Sequence, residues 1–428
     1  MSQRVSPAGT GCVLPASPVV SAEFRKRITG CYDCFATDGL PENLEDFLLN
    51  EFKLDVSTEY PGLPIRNPWG KASGQLSMNA GQVREDVEAE LGFVVLKTVI
   101  AQDETGEQSM DAWAIREARM QVERITGKLT GQAGWTVTWK GRGWWQPFEE
   151  YLALIRDARQ IAGEQEPSRE GTLIVPSCKY HLPAPGETTW KTAEYEYSTQ
   201  RFLEAWGASA TDIMPLEKDF SPTLAGSDLA SAREPILEWL RQVPALIRDG
   251  AASQQDSLRV GLKVFNAMFA DEFQLELLSL IHEAARENRP DFFVYGNRLF
   301  DPDWEFDGKR GVAYGGPDLS DRNLRVMSAF AEEHPETVLP WSATGDIGTG
   351  KMAVEYALRG ATSFQLHTFF QLPADQYLMK TGSRTQRALH ELYFHPDSGF
   401  VVWAEHLRQE SQHDGPVRIP EFASFRGK

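Results

Sequence analysis

The sequence predicts an α/β protein built on a (β/α)8 TIM barrel, with an N-terminal extension, an inserted tryptophan-rich loop and a C-terminal helical extension. Three observations predict it. From Asn67 onward, apolar runs of strand length alternate with amphipathic runs of helix length. The alternation repeats about eight times, the number of a barrel, and it implies a parallel sheet with helices outside. The 428 residues, 41% hydrophobic and 24% charged, are enough to bury a large core. Small polar residues gather at the ends of the strand runs, where a barrel of this kind carries its chemistry.

Taken in order, the expected strands are Trp69–Ser73, Phe93–Thr98, Leu173–Ser177, Asp212–Leu216, Val260–Phe265, Phe292–Tyr295, Val338–Ser342 and Phe364–Thr368. Between them lie VREDVEAEL, FEEYLALIRDARQIA, AEYEYSTQRFLEAW, LASAREPILEWLRQVPALI, ADEFQLELLSLIHEAARE, LSDRNLRVMSAFAEEH and GKMAVEYALRG, mostly apolar at helical spacing. Several start after Asp or Ser, whose side-chain oxygens cap the first turn of a helix. Residues 67–371 form the barrel. Residues 1–66 are an extension, rich in Pro and Gly at first and then carrying one helix signal, LPENLEDFLLNEF, with Pro41 suited to its first turn. Residues 372–428 are expected to hold a helix near Ala374–Tyr393 and a polar tail. The stretch Asp103–Gln146 is long for one connection, and Trp135, Trp139, Trp144 and Trp145 interleaved with glycine suggest a loop or hairpin over the barrel mouth. It would serve as a lid or as a simply packed insertion.

Composition excludes several classes. With 61 acidic against 43 basic residues the net charge is −18, which repels nucleic acid and anionic lipid. No apolar run approaches the roughly 20 residues of a membrane span. The apolar residues near Val13 and Val19 are cut by Pro15 and Pro18, which suits no signal peptide, so a cytoplasmic protein with a small-molecule substrate is expected. Nothing argues against a homodimer. Four cysteines are too few for a disulfide scaffold at this size. Cys31 and Cys34 resemble half of a zinc or iron–sulfur site that Cys12 or Cys178 would complete, but without a second close pair ordinary thiols are expected and no metal is assigned.

Chemistry is expected where strands end. In WSATGDIGTGKMAVEYALRGATSFQLHTFF, the turn Ser342-Ala343-Thr344-Gly345 lets backbone N–H groups approach an anion, and a helix starting at Thr349-Gly350 adds its dipole. His367 and Thr368 supply donors from the next strand. The simpler alternative is that these glycines only permit tight turns. Other strand ends carry Ala72-Ser73-Gly74, Lys97-Thr98, Asn297 and Gly315-Gly316. Lys263, between Leu262 and Val264, is costly to bury unless it meets an anion or an acceptor. A ligand or a structural ion pair would satisfy it.

The ordered stretches NPWGKASG, GFVVLKT, VGLKVF, VYGN, YGGPDLS, ATGDI and FQLHTFF resemble the dihydroorotate dehydrogenase family of FMN-binding barrels, including the related domain of dihydropyrimidine dehydrogenase. The resemblance runs from about Asn67 to Phe370. It implies an FMN-dependent oxidoreductase. Ala72 and Ser73 then match first-strand residues beside the flavin, and Lys97 with Thr98 the lysine pair near its ring. Lys263 matches the fifth-strand lysine at the electron-accepting end of the isoalloxazine, and Asn297 an asparagine touching flavin and substrate. Gly315, Gly316, Thr344, Gly345, His367 and Thr368 match the loops that cradle the phosphate.

The chain departs from that pattern. Thr344-Gly345 replaces a glycine pair, and His367 replaces a glycine. The catalytic loop reads PLEKDFSPT: Ser221-Pro222 lies where a Cys or Ser base precedes proline, with Glu217 and Lys218 where an asparagine is expected. WKGRGWW stands near the site of a second substrate-gripping asparagine. Ser221 or Asp219 is therefore the expected acid/base. Dihydroorotate is not the expected substrate, because a site that grips orotate-type ligands, planar amides with a carboxylate, needs side-chain amides along the ring edge. Two other readings are a flavin-free lyase or aldolase with Lys97 or Lys263 as Schiff-base amine, and a barrel that binds without chemistry.

Overall fold

All eight expected strands enter one parallel sheet. The computed structural model describes residues 11–111, 114, 119–140, 143–164, 171–184, 186–209, 211–220, 229–266, 269–306, 308–335 and 339–425. The ten strands of this curled sheet run in the order Val99–Ile100, Ser177–Lys179, Met214–Asp219, Leu258–Phe265, Phe292–Asn297, Trp341–Thr344, Ser363–Leu366, Trp69–Lys71, Phe93–Val95, Leu173–Val175. Every pairing between neighbours is parallel. Leu173–Val175 is last in this order and Ser177–Lys179 second, yet only Pro176 separates them in the chain. The carbonyl of Pro176 accepts from Glu217 N at 3.0 Å.

Most of the strand residues are buried on both faces, as the near-continuous apolar runs require. One face packs a small cluster of Phe93, Val95, Val175, Phe292 and Val294, and an antiparallel hairpin, Thr58–Tyr60 with Leu63–Ile65, adds Tyr60 and Ile65 to it. The Tyr60 ring lies 4.6 Å from that of Phe93 and 5.4 Å from that of Phe292. Part of the N-terminal extension is therefore core. The other face meets the helices Phe148–Gly163, Thr192–Trp206, Leu229–Gly250, Asp271–Glu283, Pro317–Glu333 and Gly350–Ala357, which present apolar stripes to the larger cluster.

Five features of the extensions and loops differ from expectation. The helix over LPENLEDFLLNEF spans only Leu44–Phe52, because Asn43 takes a left-handed conformation (φ 60°) that a helix interior does not hold, and Pro41 lies ahead of it. A further helix, Ala22–Asp38, precedes it, capped by Ser21 Oγ; only Phe24 and Ile28 are buried on it, so its stripe is faint in sequence. At the other end, the single helix near 374–393 is replaced by Arg384–Phe394, started by a Ser383–Gln386 capping box, and Phe400–Glu410. The tail is ordered as well, since Val417–Arg418 pairs in parallel with Leu54–Asp55 and joins the two extensions. The long insertion does form a hairpin, Arg119–Thr126 with Ala133–Lys140, and a second, unexpected hairpin pairs Leu299–Phe306 with Lys309–Tyr314.

Candidate functional site

At the carboxyl ends of the sheet strands lies a cavity of about 1280 Å3. Ala72, Ser73, Lys97, Thr98, Asp219, Lys263 and Asn297 line it, and so do Gly315, Gly316, Thr344, Gly345, His367 and Thr368. Parallel packing explains most of the convergence, because these residues end a strand of the sheet or follow one within three residues, apart from Lys263, two residues before the end of its strand, and Gly315 and Gly316, which follow the strand Lys309–Tyr314 of the second hairpin. Ser221 and Arg142 fall outside the described residues.

Charge dominates the floor. Lys263 Nζ donates to Gln365 Oε1 at 2.9 Å and lies 4.0 Å from Glu217 Oε2. Glu217 Oε1 also accepts from Tyr60 OH and Gln365 Nε2, so the hairpin that fills the sheet's inner face also anchors the carboxyl beneath the lysine. Burial raises the Glu217 pKa, with Lys263 and these bonds opposing the rise. Lys179 Nζ stands 3.4 Å from Asp219 Oδ2 and lines the same cavity. Burial alone would raise the Asp219 pKa, but Lys179, Lys263 and Lys218 outweigh it and hold the carboxylate below its ordinary value. Burial pushes Lys97 down to about 8, Asp219 opposing and Lys179 and Lys263 adding to the effect. His367 is driven well below the usual imidazole range by burial and by Arg298, Lys97, Lys263 and Lys71.

Strand alternation splits the PLEKD stretch. Asp219 lines the cavity and Glu217, on the same face, lies beneath Lys263, whereas Lys218, between them, turns away: its Nζ donates to Asp219 O at 3.0 Å and rests 4.5 Å above the Phe220 ring. Burial lowers it to about 7. Sequence reasoning missed Lys179, which sits among polar neighbours in SCKYH and offers no contrast with them.

Hydroxyls and glycines shape the opposite wall. Ser73 Oγ lies 2.7 Å from Thr98 Oγ1, which lies 3.0 Å from Ser177 Oγ, so three strand ends are tied together. Gly345 is left-handed (φ 106°), and a Cβ there would come within 2.7 Å of Asn323 Nδ2 and 2.9 Å of Gly296 O. Asn323, a second residue missed from sequence, donates to Gly296 O and Thr344 O at 3.1 Å each and fixes this turn. Beside it Asp346 accepts from Ser320 Oγ at 2.9 Å, and burial raises its pKa to about 7. Two helices start at the cavity, Pro317–Glu333 after Gly316 and Gly350–Ala357 after Thr349. The His367 ring packs against Gly74, where a Cβ would lie 2.3 Å from its Cε1. The bulky residue at 367 is thus matched by the absence of a side chain at 74.

The two hairpins and an N-terminal strap form the remaining walls. Arg298 Nη1 donates to Val137 O at 2.6 Å and Ala313 O at 3.1 Å, linking the hairpins, and Lys128 pairs with Asp301 at 2.6 Å. Leu129 N and Thr130 N donate to Asp318 at 3.1 and 3.0 Å, latching the first hairpin onto the helix Pro317–Glu333. Of the tryptophans in the insertion, Trp135 lines the cavity, whereas Trp144 packs edge-on against Tyr151 at 5.3 Å. Cys12, Leu14 and Ala16 line the cavity from the strap. Val13 N and Leu14 N donate to Glu355 at 3.1 and 2.8 Å. Cys31 and Cys34 lie a turn apart on the helix Ala22–Asp38, and Cys178 is buried. Among the described residues no group of three or more His, Cys, Asp or Glu is placed to hold a metal ion, and no helix is long and apolar enough to cross a membrane.

A scan against models of known protein families and a search among curated proteins found no match to this chain.

Proposed function

We propose that this chain is a closed (β/α)8 barrel that binds FMN and passes a hydride between the flavin and a small substrate other than dihydroorotate. The observation that carries the reading is the convergence on one cavity of Lys263, Lys97 and Asn297 on one side and two glycine turns with helix N-termini on the other. Closure is supported by the continuity of Leu173–Val175 with Ser177–Lys179 across Pro176.

The residues present fit the cofactor. At Gly348 and Gly315 a Cβ would meet nothing nearer than 4.0 and 3.9 Å, so backbone there can be approached by a ligand. The phosphate is assigned to Thr344-Gly345 and His367-Thr368, with the helix dipole of Gly350–Ala357 in support. Asp346 is compatible with an anion in its protonated form, which its pKa of about 7 allows near neutrality. Lys263 suits the ring end, where its ammonium, held by Gln365 and Glu217, would stabilise negative charge developing on reduction. Bound FMN supplies a two-electron acceptor; the chain supplies binding, orientation and proton handling. Asp219 and Ser221 are the candidate acid/bases of this reading, and Lys97, with a pKa of about 8, can hold or give up a proton near neutral pH. The test is the visible spectrum of the protein as purified, with the released cofactor identified by mass.

That same lowered pKa favours one second reading, a flavin-free lyase or aldolase in which Lys97 is the Schiff-base amine. Borohydride trapping of a carbonyl compound on Lys97 in a colourless protein would select it.

A further inference from the structure

A buried chain of polar groups runs from the N-terminal hairpin to the cavity floor. At one end Tyr60 OH donates to Glu217 Oε1, and at the other Lys263 Nζ donates to Gln365 Oε1 at 2.9 Å. The Gln365 amide joins the two ends: its Nε2 donates to Glu217 Oε1 and, at 3.2 Å, to Tyr60 OH, which leaves its oxygen turned to the ammonium. Glu217 Oε2, 4.0 Å from Lys263 Nζ, closes the circuit. All four side chains are buried, and of the four Lys263 and Gln365 line the cavity.

A buried carboxyl group favours its protonated form unless neighbours hold its charge. Burial raises the Glu217 pKa and Asp219, on the same strand, adds to the rise, while Lys263, Tyr60 and Gln365 oppose it. Tyr151, on the helix Phe148–Gly163, is acted on by the same carboxylate. Tyr60 keeps its proton for the bond, because burial and Glu217 drive its own pKa well above the phenol range. Its ring is placed by Phe93 and Phe292, so the hydroxyl is free to serve the carboxylate rather than to hold the hairpin.

We propose that Tyr60 is a positioning residue: its hydroxyl holds Glu217 ionised beneath Lys263 and so keeps an ammonium at the cavity floor. The use made of that ammonium rests on the flavin reading, whereas its control by Tyr60 rests on the side chains alone. The hairpin Thr58–Ile65, which contributes no residue to the cavity wall, then acts on the site through Glu217. Without the hydroxyl the ion pair loses ground to its neutral form, in which the proton has passed from Lys263 Nζ to Glu217.

Acetylation of Lys263 by acetic anhydride, read by peptide mass spectrometry on the full-length protein dialysed free of any flavin, tests this. The neutral amine attacks the anhydride carbonyl, acetate leaves and the amine proton goes to solvent, so the rate reports how often Lys263 is uncharged. Tyr60→Phe keeps the ring among Phe93 and Phe292 and removes only the hydroxyl. It should speed labelling of Lys263 about fivefold at neutral pH, the worth of one hydrogen bond. Glu217→Gln, which removes the counter-ion, should speed it at least as much, and Tyr60→Phe should add nothing in that background. A wild-type labelling rate in Tyr60→Phe, with a lower melting temperature, would make the hydroxyl purely structural and overturn the proposal. So would a further increase when Tyr60→Phe is added to Glu217→Gln. Should Tyr60→Phe fail to fold, Glu217→Gln decides, and wild-type labelling of Lys263 in that variant overturns the proposal. In a yellow protein Tyr60→Phe should also lower the potential of the bound FMN, in the direction of Lys263→Met. Labelling that responds to Tyr60→Phe in a protein that binds no FMN keeps the positioning role and removes the flavin, and a yellow protein whose Lys263 labelling ignores Tyr60→Phe does the reverse.

Discussion

Lys263 is held from below by Gln365 and Glu217, and its ammonium reaches the cavity from that support. Lys263→Met should leave the protein folded but make the bound flavin harder to reduce, because the positive charge near the ring end is gone. An unchanged reduction potential with a large drop in thermal stability would instead assign the lysine to the ion pair alone. At Asp346 the sign is fixed by a pKa raised from 3.8 to about 7. Stability and anion affinity that depend on its protonated form are fully present at low pH and lost as pH rises through about 7. Flavin retention should therefore fall between pH 6 and 8, roughly the unit on either side of that value, and Asp346→Asn should flatten the profile. A wild-type affinity independent of pH would refute this. Lys263 was legible because a lysine between Leu262 and Val264 contradicts its surroundings. Lys179, Asn323 and Asp346 were not: polar residues at the end of a strand, on a helix and in a turn are unremarkable until the fold brings them to one cavity.

Among the elements, the strap is the one whose removal should be most informative. Residues 11–16 contribute Cys12, Leu14 and Ala16 to the cavity wall and are held by Glu355, which itself pairs with buried Arg359 at 2.9 Å. Deleting residues 1–20 should speed flavin loss on dilution, followed by the recovery of flavin fluorescence, without abolishing the protein's thermal transition. A release rate equal to the wild type's would show the strap to be packing only. The first hairpin is latched to the helix Pro317–Glu333 by Asp318, whose carboxylate approaches residue 127 so closely that only glycine fits there. Asp318→Ala should expose the segment 119–140 to limited proteolysis, and unchanged protection would count against the latch. The strands were readable from their apolar runs, and the first hairpin from its length and tryptophans. The strap, the second hairpin and the helix Ala22–Asp38 were not, because their placement comes from long-range contacts rather than from a local period. The helix Phe400–Glu410 was hidden for a related reason, since its residues from Phe400 to Leu407 are buried with no polar face to mark a stripe.

In the whole molecule, the two extensions join through Leu54–Asp55 and Val417–Arg418, and the N-terminal hairpin fills the inner face of the sheet. These segments pack as part of the core. At the carboxyl ends of the sheet strands this net-negative molecule places lysines and helix N-termini around one cavity. The central claim is that this cavity is a flavin site, and it is tested most directly by the absorbance spectrum of the purified protein, with any released cofactor identified by mass and counted against the chain. The account predicts a yellow protein carrying one FMN per chain. A colourless protein that takes up no FMN on reconstitution would contradict it.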